Sequence, residues 1–201
     1  MISYMSTFFV LAIVGVIVVI ALLLVKFHLF TTPVVKEEYI SKFKVVYTTF
    51  VGPYSQAYKM YAVVESALSK ANDGKDFSKV PCFGIYYDKP KSVPDEKLRS
   101  VVGKIVEDNV EIPNSDDGSI KSEEIELGDV VVSHFPFQSF VDIFVGISKC
   151  YPALNKYTEE HKEIQLAGPM VELYGYVPEN ISYIAPKGKR TGILQDFPVK
   201  N

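Results

Sequence analysis

KVVYTTFVGPYSQAYKMYAVVESALSKANDG, residues 44–74, runs from a strand through a tight turn into a helix, and its reading decides the fold. Lys44 to Phe50 is rich in β-branched and aromatic side chains, which suit a half-buried pleated surface. Val51-Gly52-Pro53-Tyr54 turns the chain, and the Ser55 hydroxyl is placed to accept from the free N–H groups of a following helix. In that helix Ala57, Tyr61, Val64, Leu68 and Ala71 recur at spacings of 4, 3, 4 and 3, a helical stripe, and Asn72-Asp73-Gly74 ends it.

Downstream, Pro81 to Tyr87 (PCFGIYY) is an apolar strand and Val101 to Val106 (VVGKIV) another. Glu107 to Glu126 holds eight carboxylates against Lys121 alone and reads as a solvated loop. A calcium loop of the EF-hand type fails there, because Pro113 stands where the first carboxylate ligand belongs. The second half then repeats the first. Gly128 to Phe135 is a strand, and Phe137 to Cys150 a helix with Phe140, Phe144, Ile147 and Tyr151 as its stripe. Pro152 should break or kink that helix before a short continuation toward His161. Met170 to Tyr176 and Ile181 to Ala185 are strands. Val46 to Tyr86 and Val131 to Val171 both span 40 residues, and such an offset points to duplication. The expected fold is therefore α+β: two strand-helix-strand-strand units share one antiparallel sheet, both helix stripes lie on one face, and the seam or the opposite face is left for a concave site.

Upstream, Phe8 to Val25 (FFVLAIVGVIVVIALLLV) contains no polar side chain. As a helix it covers roughly 27 Å, the thickness of a bilayer's hydrocarbon core. A cleaved signal peptide would show a basic start, a shorter apolar core and a small-residue cleavage site, and the sequence has none of them. Lys26, Lys36, Lys42 and Lys44 all follow the segment, which orients the remainder toward the cytosol. The span also suits the thin endoplasmic reticulum bilayer. The expected organisation is a transmembrane anchor at 1–26, a juxtamembrane linker at 27–41, one domain at 42–186 and a short tail at 187–201.

All 21 basic and 24 acidic residues lie from Lys26 onward, and a net charge of −3 argues against direct nucleic-acid binding. Cys82 and Cys150 form neither a metal cluster nor a disulfide framework, so no metal or cofactor is expected. Cys82 with His134 is the one conceivable catalytic dyad, and since a lone Cys and a lone His usually serve packing, no catalytic residue is assigned.

Gly52-Pro53-Tyr54, Phe83-Gly84-Ile85-Tyr86-Tyr87-Asp88 and Val171-Glu172-Leu173-Tyr174 together resemble the GyrI-like domain, a duplicated fold of bacterial multidrug-binding regulators. GIYYDKPKSVPDEKLRSVVG, at 84–103, is similar to eukaryotic membrane proteins that carry this domain after an N-terminal helix. Phe135-Pro136-Phe137, Tyr151-Pro152-Ala153-Leu154 and Glu172-Leu173-Tyr174 agree with it.

The resemblance implies a non-enzymatic receptor or adaptor for selective autophagy of the endoplasmic reticulum. Such a protein recruits Atg8-family proteins through an aromatic-x-x-aliphatic motif in a long tail. The resemblance also implies a link to DNA–protein crosslink repair at the nuclear periphery, with a p97-type segregase as partner. Only Pro186 to Asn201 follows the last strand, which reads as a short form. Its one aromatic, Phe197, has Lys200 three positions on, so the motif is not found. The resemblance further implies that Glu172 contacts a small cationic ligand in the cleft, with Tyr86 and Tyr174 adding cation–π contact. Against this stands a structural role in which Glu172 accepts hydrogen bonds from neighbouring donors.

Overall fold

Two unusually long strands close the fold into a barrel. A computed structural model describes residues 2–115 and 118–198. The chain begins with a helix, α1 (Ile2–Lys26), then β1 (Val35–Val51), α2 (Tyr58–Ala71), β2 (Cys82–Tyr86) and β3 (Arg99–Val106). The second half supplies β4 (Lys121–Pro136), α3 (Phe140–Glu160), β5 (Met170–Tyr174) and β6 (Asn180–Pro186). The strands are antiparallel in the closed order β1-β3-β2-β5-β6-β4. Each half is the strand-helix-strand-strand unit expected from the sequence, and two seams join the halves. One is β2 against β5, with Gly84 opposite Glu172. The other is β1 against β4, in register from Val35↔Ser133 to Tyr47↔Lys121.

That second seam corrects two expectations. β1 begins at Val35, inside the stretch expected as linker, and β4 begins at Lys121, inside the expected acidic loop. The charged residues Glu37, Lys42, Glu124 and Glu126 occupy exposed positions of these strands, and Lys42 pairs with Glu124 across them at 3.0 Å. Asp116 and Asp117, also counted in the acidic loop, lie outside the described residues.

Strand alternation divides the core into layers. Val45, Phe83, Ile85, Val101, Leu127, Val132, Leu173 and Ile184 fill the barrel. Outside it, Val64 and Leu68 of α2 cover Val46, Phe77 and Val106, while Cys150 and Leu154 of α3 cover Val131, Phe135, Ile181 and Tyr183. Fully burying an aliphatic or aromatic side chain of this size contributes about 1.5 to 3 kcal/mol.

The helix ends depart from expectation. Ser55 lies in a short 3₁₀ turn, and the N-cap position of α2 is Ala57, with no side-chain cap. Asn72 does close the helix: its side-chain amide donates to Leu68 O at 2.8 Å and to Glu111 O at 3.0 Å. α3 continues through Pro152 to Glu160. Its buried stripe is Asp142, Gly146, Cys150 and Leu154, and Phe140, Phe144 and Ile147 of the expected stripe are exposed.

α1 is long and apolar enough to cross a membrane, with mean hydropathy 3.5 over the most apolar part of Thr7–Lys26. His28, with φ at +55°, ends it. The His28 N–H donates to Val25 O and the Leu29 N–H to Leu24 O, both at 3.0 Å, which is the hydrogen-bond pattern of a Schellman cap.

A tyrosine-lined carboxylate as the candidate functional site

Glu172 sits between Val171 and Leu173, whose side chains enter the barrel, so alternation places its carboxylate on the outer face of β5 beneath the helices. It is 2% exposed. Opposite it Gly84 has no side chain, and the space is taken by the Tyr86 ring folded back over the glycine: a Cβ there would lie 2.9 Å from that ring.

Tyrosines close around the carboxylate. Tyr151 Oη, from α3, donates to Glu172 Oε1 at 2.5 Å, and Tyr174 Oη donates to Oε2. Tyr86 Oη lies 3.3 Å from Tyr174 Oη. Tyr54 packs its ring against Tyr86 at 4.9 Å, and Tyr61 and Phe137 both pack theirs against Tyr174 at 6.1 Å. Tyr61 Oη is buried beside the Tyr86 hydroxyl.

The electrostatics are those of a carboxylate with no counter-charge. Burial pushes the Glu172 pKa up, and the hydrogen bonds from Tyr151 and Tyr174 pull it back only in part. Burial, with the Glu172 charge beside them, raises the Tyr86, Tyr151 and Tyr174 hydroxyls in turn. Among the described residues no Lys, Arg or His forms an ion pair with Glu172. A buried carboxylate held only by neutral donors, within aromatic walls, is costly to keep charged.

All three residues singled out from the sequence, Glu172, Tyr86 and Tyr174, therefore converge. Tyr54, Tyr61 and Tyr151 join them. Tyr61 was visible only as a member of a helix stripe; Tyr54 and Tyr151 also stood in the motifs of the family resemblance, without a role in the site.

The Cys82–His134 dyad is not formed. β2 and β4 stand three places apart in the six-stranded barrel, on opposite sides. His134 instead places Nδ1 2.9 Å from Ser182 Oγ and Nε2 3.2 Å from Glu38 Oε2, and Ser182 is fully buried. Burial raises the Cys82 thiol pKa more than neighbouring Lys104 lowers it, which disfavours the reactive thiolate. Among the described residues no cluster of His, Cys, Asp and Glu could hold a metal.

A six-stranded barrel built from two repeated strand-helix-strand-strand units defines a duplicated α+β class of domain. The family model of the GyrI-like small molecule binding domain matches residues 33–180, and the chain belongs to that family. Among curated proteins it is similar to the mouse testis-expressed protein 264 homolog, 28% identical over 126 residues, and to human testis-expressed protein 264, at 27%. Each match covers 56% of this chain and 37% of the relative, so the shared part is little more than a third of those proteins. Among solved structures, the EcmrR C-terminal domain superposes with a TM-score of 0.57 at 17% identity, over 79% of this chain and 99% of that one. An uncharacterized conserved protein from Listeria innocua superposes at 0.53 with 11% identity, over 78% and 93%. At these identities the structural likeness concerns the fold alone.

Proposed function

We propose that the chain is a membrane-anchored, non-enzymatic binding module that takes a small organic cation on Glu172 when the tyrosines over it part. The observation that carries this is the buried carboxylate without a counter-ion, hydrogen-bonded by Tyr151 and Tyr174 and ringed by tyrosine faces. A cation would replace the missing counter-charge and release the Tyr151 or Tyr174 hydroxyl from Glu172. The test is thermal unfolding and calorimetric titration of the full chain in nanodiscs, with tetraphenylphosphonium and its neutral isostere tetraphenylmethane as probes. The cation should raise Tm, the neutral probe should not, and Glu172→Gln should abolish the shift. Equal shifts from both probes would reduce the site to an apolar core.

A second reading concerns what the bound or empty domain does. The relation to testis-expressed protein 264, together with an apolar helix directly ahead of the domain, supports a single-pass protein of the endoplasmic reticulum membrane with its domain toward the cytosol. In this reading it works by recruitment, as an adaptor in selective autophagy with Atg8-family proteins or in DNA–protein crosslink repair with a p97-type segregase. Phe197 is half-buried against Tyr87, ring centroids 5.3 Å apart, so it is not free to serve as the aromatic anchor of an extended motif. Binding of the full chain to a panel of Atg8-family proteins should accordingly be unchanged by Phe197→Ala, and absence of binding to the whole panel would remove the direct-receptor reading.

A further inference from the structure

The end of α1 is tied to α3. His28 Nδ1 lies 3.0 Å from Asp142 Oδ1, in the first turn of α3, and the His28 ring meets Phe135 edge-on at 6.2 Å. Lys149 Nζ, two turns further along α3, donates to Thr31 O at 2.8 Å. His28 adopts a left-handed conformation that a side chain disfavours, and its bond to a buried carboxylate holds it there. His28 and Thr31 stand two and five residues beyond Lys26, the last residue of α1. Five residues reach at most about 17 Å, and the headgroup layer is itself about 5 to 8 Å thick, so α3 is held beside whatever surface α1 enters.

The free face of α3 is apolar where this tie holds it. Phe140 is 58% exposed, Phe144 54%, Val141 41% and Ile147 37%. Asp142, the one charged residue between Phe140 and Ser148, is buried. Tyr58, 54% exposed at the start of α2, continues the patch: its ring and that of Phe140 stand 6.3 Å apart, with Phe144 5.2 Å beyond. Phe30, exposed in the segment leaving α1, adds another aromatic. Further along α3 the exposed face turns polar, with Asn155, Lys156 and Glu159. A patch of aromatic and branched apolar side chains next to a membrane helix matches the composition of segments that lie in the lipid interface.

We propose that Tyr58, Phe140, Val141, Phe144 and Ile147 rest in the interfacial layer of the bilayer that α1 enters, so that α3 lies along the membrane. This rests on α1 being a membrane anchor. The protein contains no Trp, so single Trp substitutions report position directly. Leu22→Trp in α1, Phe144→Trp in α3 and Lys70→Trp at the far end of α2 are each reconstituted in nanodiscs holding one copy, with nitroxide-labelled lipid as quencher. Leu22→Trp and Phe144→Trp should both lose about half their fluorescence, and Lys70→Trp should keep it, since interfacial helices sit about 5 to 10 Å deep. Quenching of Leu22→Trp with Phe144→Trp as bright as Lys70→Trp would overturn the proposal while leaving the anchor intact. Loss of quenching at Leu22→Trp would overturn the anchor itself, and Phe144→Trp protection seen only in discs holding two copies would assign the face to a second copy instead.

Discussion

Glu172 makes the pH dependence of this domain unusual. Burial raises its pKa in the folded protein, so the folded state binds that proton more tightly than the unfolded chain does. Its contribution to stability is therefore most favourable below the unfolded value of about 4.3 and is lost as pH rises through the folded one. Glu172→Gln removes this cost, so the variant's advantage over the parent in urea denaturation should grow as pH rises above the unfolded value of about 4.3. An advantage independent of pH would mean that Glu172 does not titrate in this window. Asp142 behaves in the opposite way. Burial raises its pKa, but hydrogen bonds from His28, the Gln138 N–H and Ser139 outweigh it and hold the carboxyl low. Its contribution is present above the unfolded pKa and lost as pH falls. Asp142→Asn should cost about 1 to 3 kcal/mol near neutral pH, the scale of a buried donor left unpaired, and the loss should shrink toward pH 3. At Gly84 the issue is steric: an added methyl meets the Tyr86 ring, so Gly84→Ala should displace that ring and destabilise by about 1 to 3 kcal/mol.

Among the elements, α3 shows best how far a sequence pattern carries. Phe140, Phe144 and Ile147 have helical spacing, and so do Asp142, Gly146 and Cys150. Periodicity establishes the helix but does not say which stripe faces the barrel. Gly146 decides it, because Tyr183 packs against it and sends its hydroxyl to Ile143 O at 3.0 Å, an approach that any side chain at 146 would block. The small residues are the core face since they let the helix come close, and the large ones are left outside. Pro152 likewise fails to break the helix, although it withholds an N–H from the ladder. A helix maintained by packing at Cys150 and Leu154 tolerates that loss. Pro152→Ala should therefore restore a hydrogen bond and stabilise the domain by about 1 to 3 kcal/mol, read as a higher denaturant midpoint at unchanged m.

At the scale of the molecule, the C-terminal segment is part of the barrel. Ile193 and Leu194 are buried in the barrel core, Tyr87 Oη donates to Ile193 O at 2.5 Å, and Arg99 lies over the Phe197 ring at 5.8 Å. Residues expected as a tail thus seal one mouth. Leu194→Ala should cost about 2 to 4 kcal/mol, the range for a buried leucine, and a cost below 1 kcal/mol would show the segment to be dispensable.

By itself the sequence determined the anchor-like helix, the two strand-helix-strand-strand units and their duplication, while Glu172 was singled out through a family resemblance. Each follows from local periodicity, composition or a short motif. The tertiary structure decided the rest. Barrel closure depends on β1 and β4 extending through charged residues that look like linker and loop when read alone, and become strand once each has the other to pair with. The tyrosines around Glu172 come from a 3₁₀ turn, both domain helices and two strands, and only packing brings Tyr54, Tyr61 and Tyr151 to one carboxylate. Hydrophobic burial is set by what a side chain meets across the fold, and neither the exposed stripe of α3 nor the buried C-terminal segment can be assigned before that partner is in place.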